Sequence, residues 1–546
     1  MVHLTRRARP ISLCIGLLTV LVAGANPALA QSAHLHDAAA LGSVRFEVSC
    51  ETVADDFDRA LALLHHMQYQ ESRAAFEAIA AADDKCAMAH WGIAVTLFQP
   101  LWPARPGPDA LKRGWSEVQK AIALGVDSPR EAGLLHAASE FFRDPESAEW
   151  WTRIGRWSEA MTATYETHSD DQETAAFYAL SQLAAGQIAD DRMAYQSRAA
   201  QVLLEIYDEE PRHPGAIHYT IHANDVTTRA SESLEVVRSY DDIAPEVPHA
   251  LHMPTHIFVR LGEWPEVIRW NRKSADAALR FPAGDRLSHH YPHALDYLVY
   301  ANLQRGDDRA ATDVLGELSR QTEPFQGTFI SAFHLAAIEA RYAVERRAWT
   351  EAKTVRARSH NYLDWDKFWW AESLSWFARG LGAAHTGDVD EAERAEAEML
   401  RLRNDANAAG EEGFGTYIEI DRLVLSAWRS YAAGDWERAQ TALTDAVALE
   451  ATTQKHPVTP GAIYPPQEAL GDLLFKLNRP LEALEAYEAS LATWPERFNS
   501  MIGAARSARA ADREDTARAH YEKLLKSTSD ESQRSEIAEA RSFLLS

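Results

Sequence analysis

A set of small and aromatic residues returns at a fixed interval near the C-terminus, and this recurrence restricts the fold more than any other feature of the chain. Leu470, Gly471, Ala483, Tyr487 and Pro495 are followed 34 residues later by Ala505, Ala517 and Tyr521. The same small, small, turn pattern occurs at Gly380 with Ala392, Ala427 with Ala439 and Ala340 with Ala352, and Gly92 marks it near the other end. Small residues belong where the two helices of a hairpin cross closely, and the aromatic fills the gap to the next hairpin. One such unit cannot bury its apolar face alone, so the stack must continue. Abundant Ala, Leu, Glu and Arg, with few alternating apolar runs, predict a chain that is nearly all helix. Length alone would suggest several domains, and the repeat removes that need. Turns are written as Arg305-Gly306-Asp307-Asp308, Leu261-Gly262-Glu263-Trp264, Thr386-Gly387-Asp388-Val389, Ala433-Gly434-Asp435-Trp436 and Asn478-Arg479-Pro480. In each, the glycine ends one helix or the Asp or Pro starts the next.

These spacings resemble the tetratricopeptide-repeat superfamily over most of the chain. The resemblance implies an all-α helix-turn-helix solenoid coiled as a right-handed superhelix. The chain then divides into residues 1–30, an extended segment at 31–48, N-terminal repeats at 49–205, central histidine-rich repeats at 206–310, and C-terminal repeats at 311–546. Residues 1–30 read as a secretory signal peptide: Arg6, Arg7 and Arg9 precede an apolar run from Ile11 to Ala25, and Ala28-Leu29-Ala30 offers cleavage after Ala30. A periplasmic or secreted location is expected. In an oxidising compartment Cys50 and Cys86 are expected to form a disulfide, the alternative being two separate buried thiols. The period breaks at Pro100 to Pro108 and at His456 to Pro466, where loops either close over a groove or only lengthen a connection.

Nine of the 22 histidines lie between His213 and His293. His218 and His222 are four residues apart, with Asp225 three further on. His249, His252 and His256 follow at offsets of three and four, and the next unit carries His289, His290, His293 and Asp296. Residues four apart share a helix face at a separation that one metal ion can bridge. By the resemblance, His249, His252 and His256 fill the second, fifth and ninth positions of a repeat, which line the concave face. Three successive hairpins can then aim imidazoles at one place. The preferred metal ligands are His218, His222, His252 and His256, with His293 and Asp296 as further ligands or supporting partners. His249, Asp225, His289 and His290 are assigned to the groove or to holding the ligands. Pro254 implies that the helix is kinked or begins there, which in the latter case puts His249 and His252 in a shaped loop. An imidazole-dominated set without cysteine suits a divalent transition metal, zinc or copper above all. His65 and His66 read as structural, and Trp365, Trp369, Trp370 and Trp376 as core packing.

A formal charge of −25 disfavours nucleic acid and anionic membrane surfaces as partners. There is no glycine-rich phosphate loop, GxSxG elbow or HExxH motif. The strings HYTIHAND, HALHMPTHIFVRLGEW, HALDYLVYANLQRG and CAMAHWGIA resemble a group of bacterial exported tetratricopeptide-repeat proteins. Two functions follow. One is an exported scaffold or binding protein with a metal in its concave groove, beside a peptide, protein or small-molecule ligand. The other is a metal-dependent hydrolase or oxidoreductase on the same solenoid, with Asp225, Asp296 or a groove glutamate as base.

Overall fold

A computed structural model describes residues 38–102 and 105–545, so residues 1–30, read above as a signal peptide, the expected cleavage after Ala30 and the first seven residues of the 31–48 segment lie outside the described residues. From Ala54 to Leu544 the chain is a succession of helices, each packed mainly on its sequence neighbours. First helices of adjacent hairpins also meet, as do His290–Gln304 with Phe329–Glu345 and Trp369–Thr386 with Glu412–Ala432. The solenoid expected from the repeat is the fold.

The local rules behind it are visible in the turns. Gly387 and Gly434 adopt φ of 78° and 81°, a left-handed conformation that costs glycine little. The aspartate that follows each one caps the next helix: Asp388 accepts from the Glu391 amide and Asp435 from the Arg438 amide. Packing shows the same logic. A Cβ at Gly503 would stand 2.4 Å from the ring of Tyr487, so the small residue exists to admit the aromatic between hairpins. Cys50 and Cys86 are joined in a disulfide.

Trp365, Trp370 and Trp376 are buried in the largest apolar core. The C-terminal repeats rest on the turns of the central ones: Trp264 Nε1 donates to Glu496 O at 3.0 Å, and the Arg305 carbonyl accepts from the Ser529 amide at 2.9 Å. At this contact the fully buried Arg497 pairs with Glu345 at 2.8 Å and Glu468 at 2.6 Å. Removing one partner of a buried ion pair leaves the others uncompensated. Arg497→Ala is therefore expected to cost about 3–5 kcal/mol, read as a lower urea midpoint with little change in slope.

The segment after Glu450 runs back into the hollow of the solenoid instead of merely lengthening a connection. Tyr297 donates to Pro457 O at 3.2 Å, Arg341 to Gly461 O at 3.1 Å, and Lys455 to Asp225 at 3.1 Å. This segment closes one wall of the histidine-rich region.

Candidate metal centre

The central histidine stripe divides into two groups, each completed by a neighbouring hairpin. The helix Pro248–His252 ends at Met253 and a second one, Pro254–Leu261, begins at the proline. His249 and His252 are thus on a short helix and not in a loop. Offsets of three and four residues turn a side chain by roughly −60° and +40°, so His249 diverges from His252 while His256 stays with it. His252 and His256 meet His293 from the following hairpin, and His249 meets His218 and His222 from the preceding one. The single point of convergence expected for His218, His222, His252 and His256 is therefore replaced by two adjacent trios.

In the first trio, His252 Nε2 lies 3.1 Å from His256 Nε2 and 2.8 Å from His293 Nε2. The back of each ring fixes what these nitrogens carry. Asn271 gives its Nδ2 hydrogens to Val267 O and so turns its Oδ1 to His252 Nδ1 at 2.8 Å, which makes that nitrogen the N–H. His256 Nδ1 donates to Asp225 Oδ2 at 3.1 Å. His334 Nδ1 donates to Asp296 Oδ2 at 3.1 Å, which leaves its Nε2 to accept from His293 Nδ1 at 2.5 Å. Each of the three Nε2 atoms consequently presents a lone pair to the other two, with no proton between them. Metal–nitrogen bonds of ~2.0–2.1 Å separate two ligating nitrogens by roughly 2.9 Å at a right angle and 3.4 Å at the tetrahedral angle. The observed spacing fits a single ion.

Electrostatics favour the same state. Burial holds His252 and His293 well below the ordinary imidazole range, and the neighbouring imidazoles act in the same direction. Burial also lowers His256, against the pull of Asp225. Burial works against the Asp225 carboxylate, but Lys455 and Arg260 outweigh it and hold the group well below its usual range. Asp296 is likewise lowered, Arg341 and His334 prevailing over burial. Arg260 donates to Asp225 Oδ1 at 2.8 Å and Arg341 to Asp296 Oδ1 at 2.9 Å. Both carboxylates are committed to ion pairs and ring orientation. Asp296, expected as a further ligand or a supporting partner, bonds His334 and Arg341.

Tyr297 walls the first trio, its ring centroid 4.5 Å from that of His252. Trp102, from the proline-rich interruption, lies 5.3 Å from His249 and 5.5 Å from His289. His289 and His290 thus border the site without joining a trio. His65 and His66 are buried and hydrogen-bonded. His65 bonds Tyr219 at 3.0 Å and Glu173 at 2.6 Å, and His66 bonds Tyr240 and Leu41 O, both at 3.0 Å. Sequence reasoning missed Asn271, His334, Arg260, Arg341 and Lys455. Only Arg260 and Asn271 lie near the histidine strings, and Lys455 reaches Asp225 across 230 residues.

Buried histidines with lowered proton affinity also occur outside the trios, and they contribute to the acid sensitivity expected of the fold. His385 stacks on Trp349 at 3.9 Å, and burial lowers it to about 3; His456 packs on Trp370 at 5.4 Å and is lowered to about 3, again by burial. In the unfolded chain both titrate at 6.5. Below that pH the unfolded state binds more protons than the folded state, so stability is full above pH 6.5 and falls as pH drops towards 3. His385→Leu is expected to flatten part of this slope in melting-temperature scans across that window, and an unchanged slope would refute the assignment.

A tetratricopeptide-repeat family model matches residues 57–99 and 468–532. The two matched stretches lie near either end of the helical array. No curated protein matches the sequence. Among solved structures, yeast Tom70 aligns at 11% identity over 91% of this chain and 96% of its own, with a TM-score of 0.30. The human IFIT1 dimer with m7Gppp-AAAA aligns at 10% identity over 81% and 90%, with a TM-score of 0.34. Cut9, from the APC/C hetero-tetramer Cut9-Hcn1, aligns at 12% identity over 91% and 97%, with a TM-score of 0.27. The histidine trios fall between the two matched stretches. No helix among the described residues is long and apolar enough to cross a membrane.

Proposed function

We propose that this protein is an exported tetratricopeptide-repeat binding protein that holds a divalent transition metal, zinc or copper, at His252, His256 and His293. One observation carries the reading: the Nε2 lone pairs of the trio face one another at 2.8 and 3.1 Å, and partners behind the rings occupy every hydrogen they have. Lone pairs held this close repel unless a cation lies among them. Asn271, Asp225 and His334 would fix ring tautomer and direction, the work that outer partners perform in metal sites. All three ligands are neutral imidazoles, a donor set that suits zinc and copper(II). An oxidising compartment, periplasmic or extracellular, agrees with the leader-like first thirty residues and with the bond between Cys50 and Cys86.

The groove supplies the binding surface. A cavity of about 320 Å³ is lined by Arg260 and Lys455, the two cations that bond Asp225, and by Arg341, Trp370, Tyr417 and Trp494 among others. This mainly apolar space, with Asp421 and Glu450 facing it as well as the three cationic side chains, suits a small molecule or the side chain of a peptide.

The test is metal content and its coupling to folding. Metal-free protein titrated with zinc or copper(II) is expected to melt at a higher temperature, gaining about 2.7 kcal/mol when the free ion stands 100-fold above its dissociation constant. A melting temperature indifferent to both ions would refute the proposal. Asn271→Ala, which frees the His252 ring to turn, is expected to weaken metal binding by roughly 10–100-fold, measured by competition with a chelator.

A further inference from the structure

We infer that His218, His222 and His249 form a second metal position beside the first, giving a centre of two divalent transition ions. The inference extends the preceding reading to a neighbouring site, but its observations are separate. Donor atoms of these three residues lie within 4.8 Å of one another. His218 Nδ1 donates to the His65 carbonyl at 2.6 Å, which can only accept, so its Nε2 keeps a lone pair. That Nε2, the Nε2 of His222 and both ring nitrogens of His249 are buried and have no hydrogen-bond partner among the described residues. Buried polar atoms are normally paired, and a cluster of orphaned imidazole nitrogens points to a missing cation.

A third group shows what a satisfied cluster looks like. His65, Glu173 and His213 bring donor atoms equally close, yet each ring nitrogen there is engaged. His213 Nδ1 accepts from the Ala216 amide and its Nε2 donates to Glu173, while His65 bonds Glu173 and Tyr219. No ion is called for in that group. In the His218 trio every ring leaves at least one nitrogen idle.

The two proposed positions are neighbours. Ring centroids of His222 and His256 are 6.2 Å apart, and those of His249 and His252 are 6.4 Å apart. They differ in access. His252, His256 and His293 are all buried. His222 is only partly buried and borders a cavity of about 370 Å³ together with Trp102, Arg192, Phe414, Tyr417 and Lys455. The His222 Nε2 itself is buried while the rest of the residue borders this cavity, and three protein ligands leave a fourth position that an exogenous ligand can fill. The second ion would meet a small donor molecule from the cavity, whereas the first is enclosed.

Full-length protein stripped of metal and reloaded with cobalt(II) alone separates the possibilities, with bound metal counted by elemental analysis and helix content followed by circular dichroism. Wild type is expected to hold two ions per chain, His218→Ala/His249→Ala one, and His252→Ala/His293→Ala one. A single ion in wild type that disappears only in His252→Ala/His293→Ala overturns the second position and leaves the first standing. A single ion that disappears only in His218→Ala/His249→Ala overturns the first and leaves the second. No bound ion overturns both. If an alanine pair fails to fold, His249→Gln and His293→Gln replace them with the same expected counts. Azide is expected to shift the cobalt absorption bands of His252→Ala/His293→Ala and not those of His218→Ala/His249→Ala, and absence of a shift in the former overturns the open position.

Discussion

Replacing His252 with alanine is expected to abolish tight metal binding at the first trio while leaving helix content unchanged. His252 is the shared member: its Nε2 is the atom that approaches both His256 Nε2 and His293 Nε2. Its loss leaves two ligands on different hairpins with nothing between them. The fall in affinity should exceed the roughly 100-fold that loss of an outer partner produces, and calorimetric titration with zinc would show it. Stability should move differently in the two metal states. Without metal, the variant loses the bond to Asn271, which leaves a buried acceptor unpaired at about 1–3 kcal/mol, but it also relieves the contact among facing lone pairs. With metal, it forfeits the whole of the binding energy linked to folding. A variant that still melted at a higher temperature on adding zinc, by as much as wild type, would count against the first trio as a ligand set.

Asp225→Ala is expected to have the largest effect of any single carboxylate substitution. This buried side chain holds three groups from distant parts of the chain: His256 at 3.1 Å, Arg260 at 2.8 Å and Lys455 at 3.1 Å. Removing it leaves two buried cations facing each other, a loss of about 3–5 kcal/mol for breaking such a network. Lys455 offsets part of this by releasing its proton, since burial has already brought it down to about 8. The 451–466 segment then loses a principal anchor in the hollow and should become a site of limited proteolysis. The His256 ring loses the acceptor that fixed its tautomer, so metal affinity falls as well, by roughly 10–100-fold. Asp225→Asn keeps the shape and one acceptor, and it should retain more structure than alanine while still weakening the metal. Wild-type resistance to both urea and protease in Asp225→Ala would refute this role.

The two substitutions probe what was unevenly legible in the chain. His218, His222, His249, His252, His256 and His293 stand in short strings at helical spacing, so their shared helix faces were readable from periodicity, and their direction towards the hollow only from the resemblance to tetratricopeptide repeats. How they would group was not. A stripe at offsets of three and four looks continuous in sequence, yet an offset of three carries His249 towards the preceding hairpin and an offset of four keeps His256 beside His252. Asp296 shows the same limit, since helical spacing placed it next to His293 but could not show that His334 from the next hairpin stands between it and the trio. The loop after Glu450 was recognisable as an interruption, and nothing in its composition revealed that Lys455 would reach Asp225.

By itself, the sequence determined the repeating hairpin, because small residues at close crossings, aromatics between hairpins and Gly-Asp turns act through neighbours along the chain. Gly387 with Asp388 and Gly503 beneath Tyr487 do in the structure what their local pattern requires. Only the tertiary structure decided the chemistry of the groove. Which nitrogen of each imidazole bears hydrogen is set by Asn271, Asp225 and His334, and which rings are sealed is set by Tyr297 and the returning 451–466 segment. Those partners lie up to 230 residues from the groups they control. Proton placement and solvent access depend on packing in three dimensions, and spacing along a helix encodes neither.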